Sequence, residues 1–200
     1  MNRRELLVLA IAAFPFRTFG APGMAAPGFE VPDTQMRKRR LAEFKGRTVV
    51  LEWTSASCPF VRAQYESGVM PELQRWAEGQ GVVWLSVIST HPSRRDYLPP
   101  DKAETMHRGR GGAPAALLID ATGAMGRAYG AAVTPHMFII DPKGELVYSG
   151  AISDNPTMSA REARASRNYV RAALEDLRAG RKVATASTRP FGCTVAYSGN

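Results

Sequence analysis

Two apolar runs of strand length, residues 48–53 and 82–88, flank a stretch with helical spacing, and this order constrains the fold more than any other feature of the chain. Thr48-Val49-Val50 leading into Leu51 has the β-branched character of a strand, and the unbroken run from Val82 to Ile88 suits a strand covered on both faces. Between them, Pro59 stands where a helix can begin at no cost, because the first helical residue has no intrahelical use for its N–H. That helix is expected to run to about Glu66 and to bend or break at Ser67-Gly68. Helical spacing then resumes at Pro71 and ends at Gly79-Gln80-Gly81. Strand, helix, strand at this spacing makes a parallel crossover, so the fold class is α/β with helices packed on a sheet.

Further along, residues 101–110 read as a short helix, 115–120 as a strand and 123–129 as a small helix or turn. Residues 136–140 and 145–149 form a hairpin pattern, joined by Asp141-Pro142-Lys143-Gly144, whose residues favour a tight turn. The pattern over 159–177 is one amphipathic helix, with Tyr169, Val170, Ala173, Leu174 and Leu177 on its apolar face and Gly180 closing it. These elements divide the chain into a leader (1–25), a linker rich in Pro and Gly near its start (26–40), one domain (41–180) and a tail carrying Cys193 (181–200).

The leader has a basic start, Arg3-Arg4, and a short apolar segment from Leu6 to Phe14, the pattern of an export signal. Small residues near Gly23 and Ala25, or Thr18 and Gly20, offer cleavage points. The arginine pair loosely resembles a twin-arginine signal, so either the Sec or the twin-arginine route fits, with the bacterial periplasm as destination and a cytoplasmic protein as the alternative. No apolar stretch is long enough to span a membrane. The formal charge of +8 is scattered apart from Arg37-Lys38-Arg39-Arg40, which argues for a solvated surface and against nucleic acid as a partner.

The chemistry is concentrated at Cys58, at the corner where the first central strand passes into a helix. The first-turn N–H groups of a helix have no internal partners and can stabilise a thiolate, so a cysteine here is a candidate nucleophile. Thr54 and Ser55 can hydrogen-bond a thiolate or a substrate oxygen, and Arg62, one turn on, can add positive charge. Cys193 is the other cysteine of the chain and the one possible intrachain partner. His91, His107 and His136 show no metal-ligand spacing, and Gly109-Arg110-Gly111-Gly112 lacks the Lys-Ser/Thr ending of a phosphate loop, so neither metal nor cofactor is implied.

Taken with the order of elements, three motifs resemble the thioredoxin-like superfamily and, within it, the peroxiredoxin-like branch of the alkyl hydroperoxide reductase/thiol-specific antioxidant (redoxin) family. They are Cys58-Pro59-Phe60-Val61-Arg62 with Tyr65-Glu66-Ser67-Gly68 after it, Thr134-Pro135-His136-Met137-Phe138-Ile139-Ile140-Asp141, and the ending Arg189-Pro190-Phe191-Gly192-Cys193. The resemblance implies a central mixed β-sheet flanked by helices and a cis peptide at Thr134-Pro135 facing Cys58. It also implies antioxidant activity, Cys58 attacking a peroxide or a protein disulfide, with Cys193 or an external thioredoxin-like thiol reductant resolving the product. Two departures stand out. Val61 occupies the place of the second cysteine of a Cys-x-x-Cys pair, and Leu51 the place of the proline that peroxiredoxins carry upstream. Two alternatives follow, a thiol-disulfide exchange protein acting on exported proteins and a non-catalytic binding module using the Thr134-Pro135 edge.

Overall fold

A computed structural model describes residues 21–198. The expected export signal lies almost wholly outside these residues. The centre is a five-stranded sheet in the order β5-β4-β3-β7-β8. Strands β3 (Val49–Trp53), β4 (Val83–Ile88) and β5 (Ala116–Ile119) run parallel, while β7 (His136–Ile140) and β8 (Leu146–Gly150) complete the sheet antiparallel. This is the mixed sheet expected from the crossover followed by a hairpin.

Helices α1 (Pro59–Glu66) and α2 (Val69–Gly79) form the crossover between β3 and β4, separated by Gly68 in the left-handed region at φ 78°. Alternation along the strands divides the core. Val49, Leu51 and Trp53 face a cluster with Phe29, Val31, Tyr129 of α4 (Ala124–Tyr129) and Val195 of the tail. Val50 faces the opposite layer, with Cys58, Val61 and Tyr65 of α1, Met70 of α2 and Val170 of α6 (Tyr169–Arg178). Helix α3 (Pro100–Gly109) covers the outer end of the sheet through Ala103 against Ile88, Leu117 and Ile119. Among the described residues no helix is long and apolar enough to cross a membrane.

Three segments depart from the sequence reading. Residues 26–40, expected as a linker, include the hairpin of β1 (Glu30–Pro32) and β2 (Lys38–Arg40), and Phe29 and Val31 enter the core. These two apolar side chains anchor it, with Asp33 buried at its turn and accepting from the backbone N–H groups of Gln35 and Arg37. The segment also covers the outer edge of β5, where Thr34 N–H donates to the Leu117 carbonyl at 3.0 Å.

The helix expected over 159–177 is two helices, α5 (Ala160–Ala165) and α6. The break occurs because Asn168 caps α6 by accepting from Arg171 N–H, while Tyr169 N–H and Asp154 N–H turn the intervening chain onto residues 152–154 and 167. Finally, the tail has a definite path. Residues 186–188 pair with the edge of β8, Ser149 N–H donating to Ala186 and Thr188 N–H to Ser149, and the chain then crosses the molecule to form β9 (Cys193–Thr194) against β6 (Val133–Thr134).

Candidate active site

Cys58 is the N-cap residue of α1, with Pro59 at the first helical position, so the strand-to-helix corner is built as its sequence requires. Its side chain is turned inward, 1% exposed, and its thiol donates to the carbonyl oxygen of Thr134 at 3.0 Å. The Thr134–Pro135 peptide is cis, and Thr134 belongs to β6, the short strand just before β7. Two segments far apart in sequence, the α1 corner and the Thr134-Pro135 turn, therefore meet at one sulfur.

Cys193 arrives from the tail. In the β6–β9 pairing it stands opposite Thr134, the residue whose carbonyl holds Cys58. Its side chain packs, partly buried, against the apolar layer that holds Cys58, so the two sulfurs are neighbours across the β6–β9 pairing. Both cysteines are free. Burial, and then the neighbouring Cys58 sulfur, push the Cys193 thiol up to about 12. A proton on Cys193 is thus retained at neutral pH, and deprotonation is the step that a reaction of this thiol must overcome.

Gly192 explains how the tail comes so close. It has φ 140°, open to glycine and strained for other residues, and a Cβ there would collide with the Thr134 carbonyl group. Phe191 precedes it and packs its ring against Phe60 of α1 at 5.9 Å between centroids. Downstream, Val195 N–H donates to Ala132 at 3.0 Å and His91 N–H to Ala196 at 2.9 Å. Tyr197 donates to the Ala131 carbonyl, and its ring, stacked under the Arg127 guanidinium, occupies space left by Gly123 and Gly126.

The remaining sequence candidates are placed differently. Ser55 is beside the loop but its hydroxyl pairs with Ser57 at 3.2 Å, and Ser57 donates to Asp96 at 2.8 Å. Thr54 is buried, its backbone N–H donating to Val87. Arg62 is more than half exposed and its guanidinium pairs with Glu66, turned along the helix surface. Arg110 does reach the Cys58 loop, donating to the Ala56 carbonyl at 2.6 Å from the end of α3. His136, directly after Pro135, is 5% exposed; its Nδ1 accepts from Ala132 N–H, and burial drives its pKa down to about 4. It is neutral near pH 7.

One polar cluster escaped the sequence reading. Glu52, in the middle of β3, is completely buried and accepts from Tyr65, Gln74, Trp84 and Ser86 at 2.8–3.0 Å. Tyr65 also lies 3.4 Å from His107 of α3. Burial, followed by the Glu52 charge, raises the Tyr65 hydroxyl well above its ordinary value, and burial lowers His107. A lone acidic residue in an otherwise apolar central strand was the available signal. Its donors come from α1, α2 and β4, so their convergence is a property of the fold.

A family model described as "AhpC/TSA family" matches residues 22–149. The thiol-disulfide oxidoreductase ResA of Geobacillus thermodenitrificans is 29% identical over 153 residues, 72% of this chain and 82% of that protein. A crystal structure of a hypothetical protein from Sinorhizobium meliloti aligns over 90% of this chain and 96% of its own, with a TM-score of 0.72 and 26% identity. An uncharacterized conserved protein from Geobacillus kaustophilus aligns over 91% and 95%, with a TM-score of 0.76 and 24% identity.

Proposed function

Because the chain belongs to the AhpC/TSA family, we propose that it is a thiol oxidoreductase of the thioredoxin-like type, in which Cys58 is the attacking sulfur and Cys193 its resolving partner. The observation that carries this reading is the position of Cys193, seated beside Cys58 although 135 positions of sequence separate them by the difference of their numbers. Val61 leaves α1 without a second cysteine, and the tail supplies one from outside the helix. Closing so long a loop costs little more than closing a shorter one, since the entropy rises only logarithmically with length, and the folded tail has already brought the thiols together.

Thiol-disulfide exchange fits the site best. Cys58 is surrounded by sulfur and a backbone edge, Cys193 and Thr134, while Ser55 and Arg62, the side chains that could orient a peroxide, are engaged with Ser57 and Glu66. The name of the ResA relative agrees with this chemistry. A disulfide partner and an external thiol reductant would exchange electrons through the Cys58–Cys193 couple, and the export-type leader supports a site of action outside the cytoplasm. A second reading, antioxidant reduction of hydroperoxides, draws support from the family match and the Cys58-Pro59-Phe60 start of α1. There Cys58 would take one peroxide oxygen as sulfenic acid, releasing an alcohol or water, and Cys193 would condense with it to a disulfide and water.

Treating reduced wild type and Cys193→Ser with one equivalent of hydroxyethyl disulfide, or separately of hydrogen peroxide, tests both readings by non-reducing peptide mapping. Wild type is expected to give a linked Cys58–Cys193 peptide, and Cys193→Ser to stop at the Cys58 adduct. Rapid-mixing rates with the two oxidants then rank exchange above or below peroxide reduction. Accumulation of the same Cys58 adduct in both proteins would remove Cys193 from the cycle.

A further inference from the structure

The strand that delivers Cys193 occupies the backbone edge beside Cys58. Pairing of Thr134 with Cys193 and the Ala132–Val195 hydrogen bond make β9 an extended segment lying antiparallel on β6, with a cysteine opposite Thr134. A polypeptide presenting a disulfide to Cys58 along this edge would need the same pairing and the same space, because adding a strand to an exposed edge is how extended peptides are commonly held. Cys58 is itself 1% exposed, so a bulky partner reaches it only when something moves.

The tail is fastened unevenly. On one side Thr188 is anchored to Tyr148 and Ala151 at 2.7 and 2.9 Å. On the other, Val195 is buried in the core and Tyr197 is held by Ala131 and Arg127. Between these anchors, the contacts include the Phe191–Phe60 ring pair, the short β6–β9 pairing, a Thr134 hydroxyl contact with the Cys193 carbonyl at 3.5 Å, and packing of partly buried Phe191 and Cys193 on the layer of Cys58. A groove of about 630 Å³, lined by Val133, Tyr169, Arg189 and Phe191 among others, runs beside this stretch.

Building on the assignment of Cys58 and Cys193 as the redox pair, we propose that residues 189–194 are a resident substitute for the substrate. They exclude extended peptide disulfides from β6 while seated, and they compete with such partners by strand exchange during turnover. In the forward reaction the arch opens and the Cys58 thiolate attacks one sulfur of the partner disulfide, forming a mixed disulfide and releasing the other sulfur as a thiolate. The arch then returns, Cys193 gives its proton to solvent and attacks the Cys58 sulfur, and the mixed disulfide breaks. A Cys58–Cys193 disulfide forms, and the partner's second thiolate leaves and takes up a proton. The partner disulfide has gained two electrons, the cysteine pair has lost two, and an external dithiol restores them. Reseating β9 thus resolves the intermediate and clears the edge in one movement.

Gly192→Ala isolates this role, since a methyl group there cannot coexist with the seated arch, yet neither sulfur is altered. Phe191→Ala, which removes only the ring contact with Phe60, is the milder companion. Full-length reduced wild type and both variants, checked for native circular dichroism, are mixed with hydroxyethyl disulfide and with an extended decapeptide carrying one cysteine as its mixed disulfide with glutathione. Formation of the Cys58 adduct is followed by quenched mass spectrometry.

For Phe191→Ala the peptide rate is expected to rise by up to about tenfold, the equivalent of one aromatic contact, with a larger rise for Gly192→Ala. The small disulfide should react at rates within a few fold of one another in all three proteins, and Gly192→Ala should accumulate the Cys58–peptide adduct because Cys193 returns poorly. Equal peptide rates in all three proteins, with Cys58 reactive in each, would overturn the gate and leave the redox pair standing. A Cys58 inert toward both disulfides in every protein would overturn the redox assignment, and the gate with it.

Discussion

Acidification should loosen this fold through His136, and the size of the effect follows from its burial. The imidazole sits at the start of β7, stacked near Phe138 with 4.4 Å between ring centroids and paired in register with Trp53. Loss of hydration holds its pKa at about 4, against an ordinary value of 6.5. A base with a depressed folded-state pKa stays neutral in the folded chain while its unfolded counterpart takes up a proton, so stability falls as pH drops from about 6.5 toward about 4. The difference of roughly 2.5 pH units at about 1.4 kcal/mol each comes to about 3.5 kcal/mol, of which about 2 kcal/mol is lost by pH 5. His107, also lowered by burial, adds to the loss, whereas Asp120, raised by burial, acts in the opposite sense. A difference measurement separates them. His136→Asn places an amide oxygen near the position of Nδ1, keeps an acceptor for Ala132 N–H and removes the titration. Urea denaturation of both proteins under reducing conditions at pH 7.5, 6.5, 5.5 and 5.0 gives two stability curves. They should converge by about 2 kcal/mol toward low pH, the wild type losing more. Parallel curves would show that His136 charges as readily in the folded protein as outside it, and would refute the burial argument.

Two further outcomes are expected. Since burial, the largest cause raising the Cys193 thiol, does not depend on the state of Cys58, conversion of a preformed Cys58 mixed disulfide to the Cys58–Cys193 disulfide should accelerate with pH, close to tenfold per unit at first order in its thiolate, between about pH 7 and 9. Stopped-flow separation of adduct decay at several pH values checks this, and a pH-independent rate would contradict it. Glu52→Ala should cost about 3–5 kcal/mol in chemical denaturation by stranding four buried donors, with Glu52→Gln costing less because it keeps one acceptor oxygen. A loss below about 1 kcal/mol for the alanine variant would mean that water replaces the carboxylate in that cluster.

What could be read from the sequence was what local pattern encodes. The crossover from β3 to β4 announced itself by run length and β-branching, Pro59 marked the start of α1, and Asp141-Pro142-Lys143-Gly144 marked the hairpin. Residues 26–40 misled because Pro and Gly dominate the start of the segment and strands of three residues are too short to show a period, so Phe29 and Val31 looked incidental. The single helix over 159–177 misled because Ala and Arg favour helix on both sides of the break. The decision belonged to Asn168, through its capping hydrogen bond, and to residues 152–154, which lie outside the helical pattern they interrupt. At the site, the α1 corner was legible and the seating of Cys193 was not, for the tail has no periodicity and its path is set by contacts with β8, β6 and α4. Gly192 was the one local clue, and its meaning appears only when Thr134 is known to lie against it.

The flanking segments also decide how the central sheet meets other molecules. An open strand edge offers a row of unpaired N–H and C=O groups to any chain that can align with it. Here the β5 edge is occupied by Asp33 and Thr34, and the β8 edge by residues 23–25 at one end and 186–188 at the other. Each seal is made from chain lying at the border of the domain, where trimming is easiest. Residues 23–25 are the last of the expected leader, and residues 186–188 lead into the arch. Trimming of either flank would leave the β8 edge with free peptide groups on a protein whose Cys193 thiol is only partly buried. Self-association through that edge, followed by disulfides between copies, is then the natural fate of a clipped molecule.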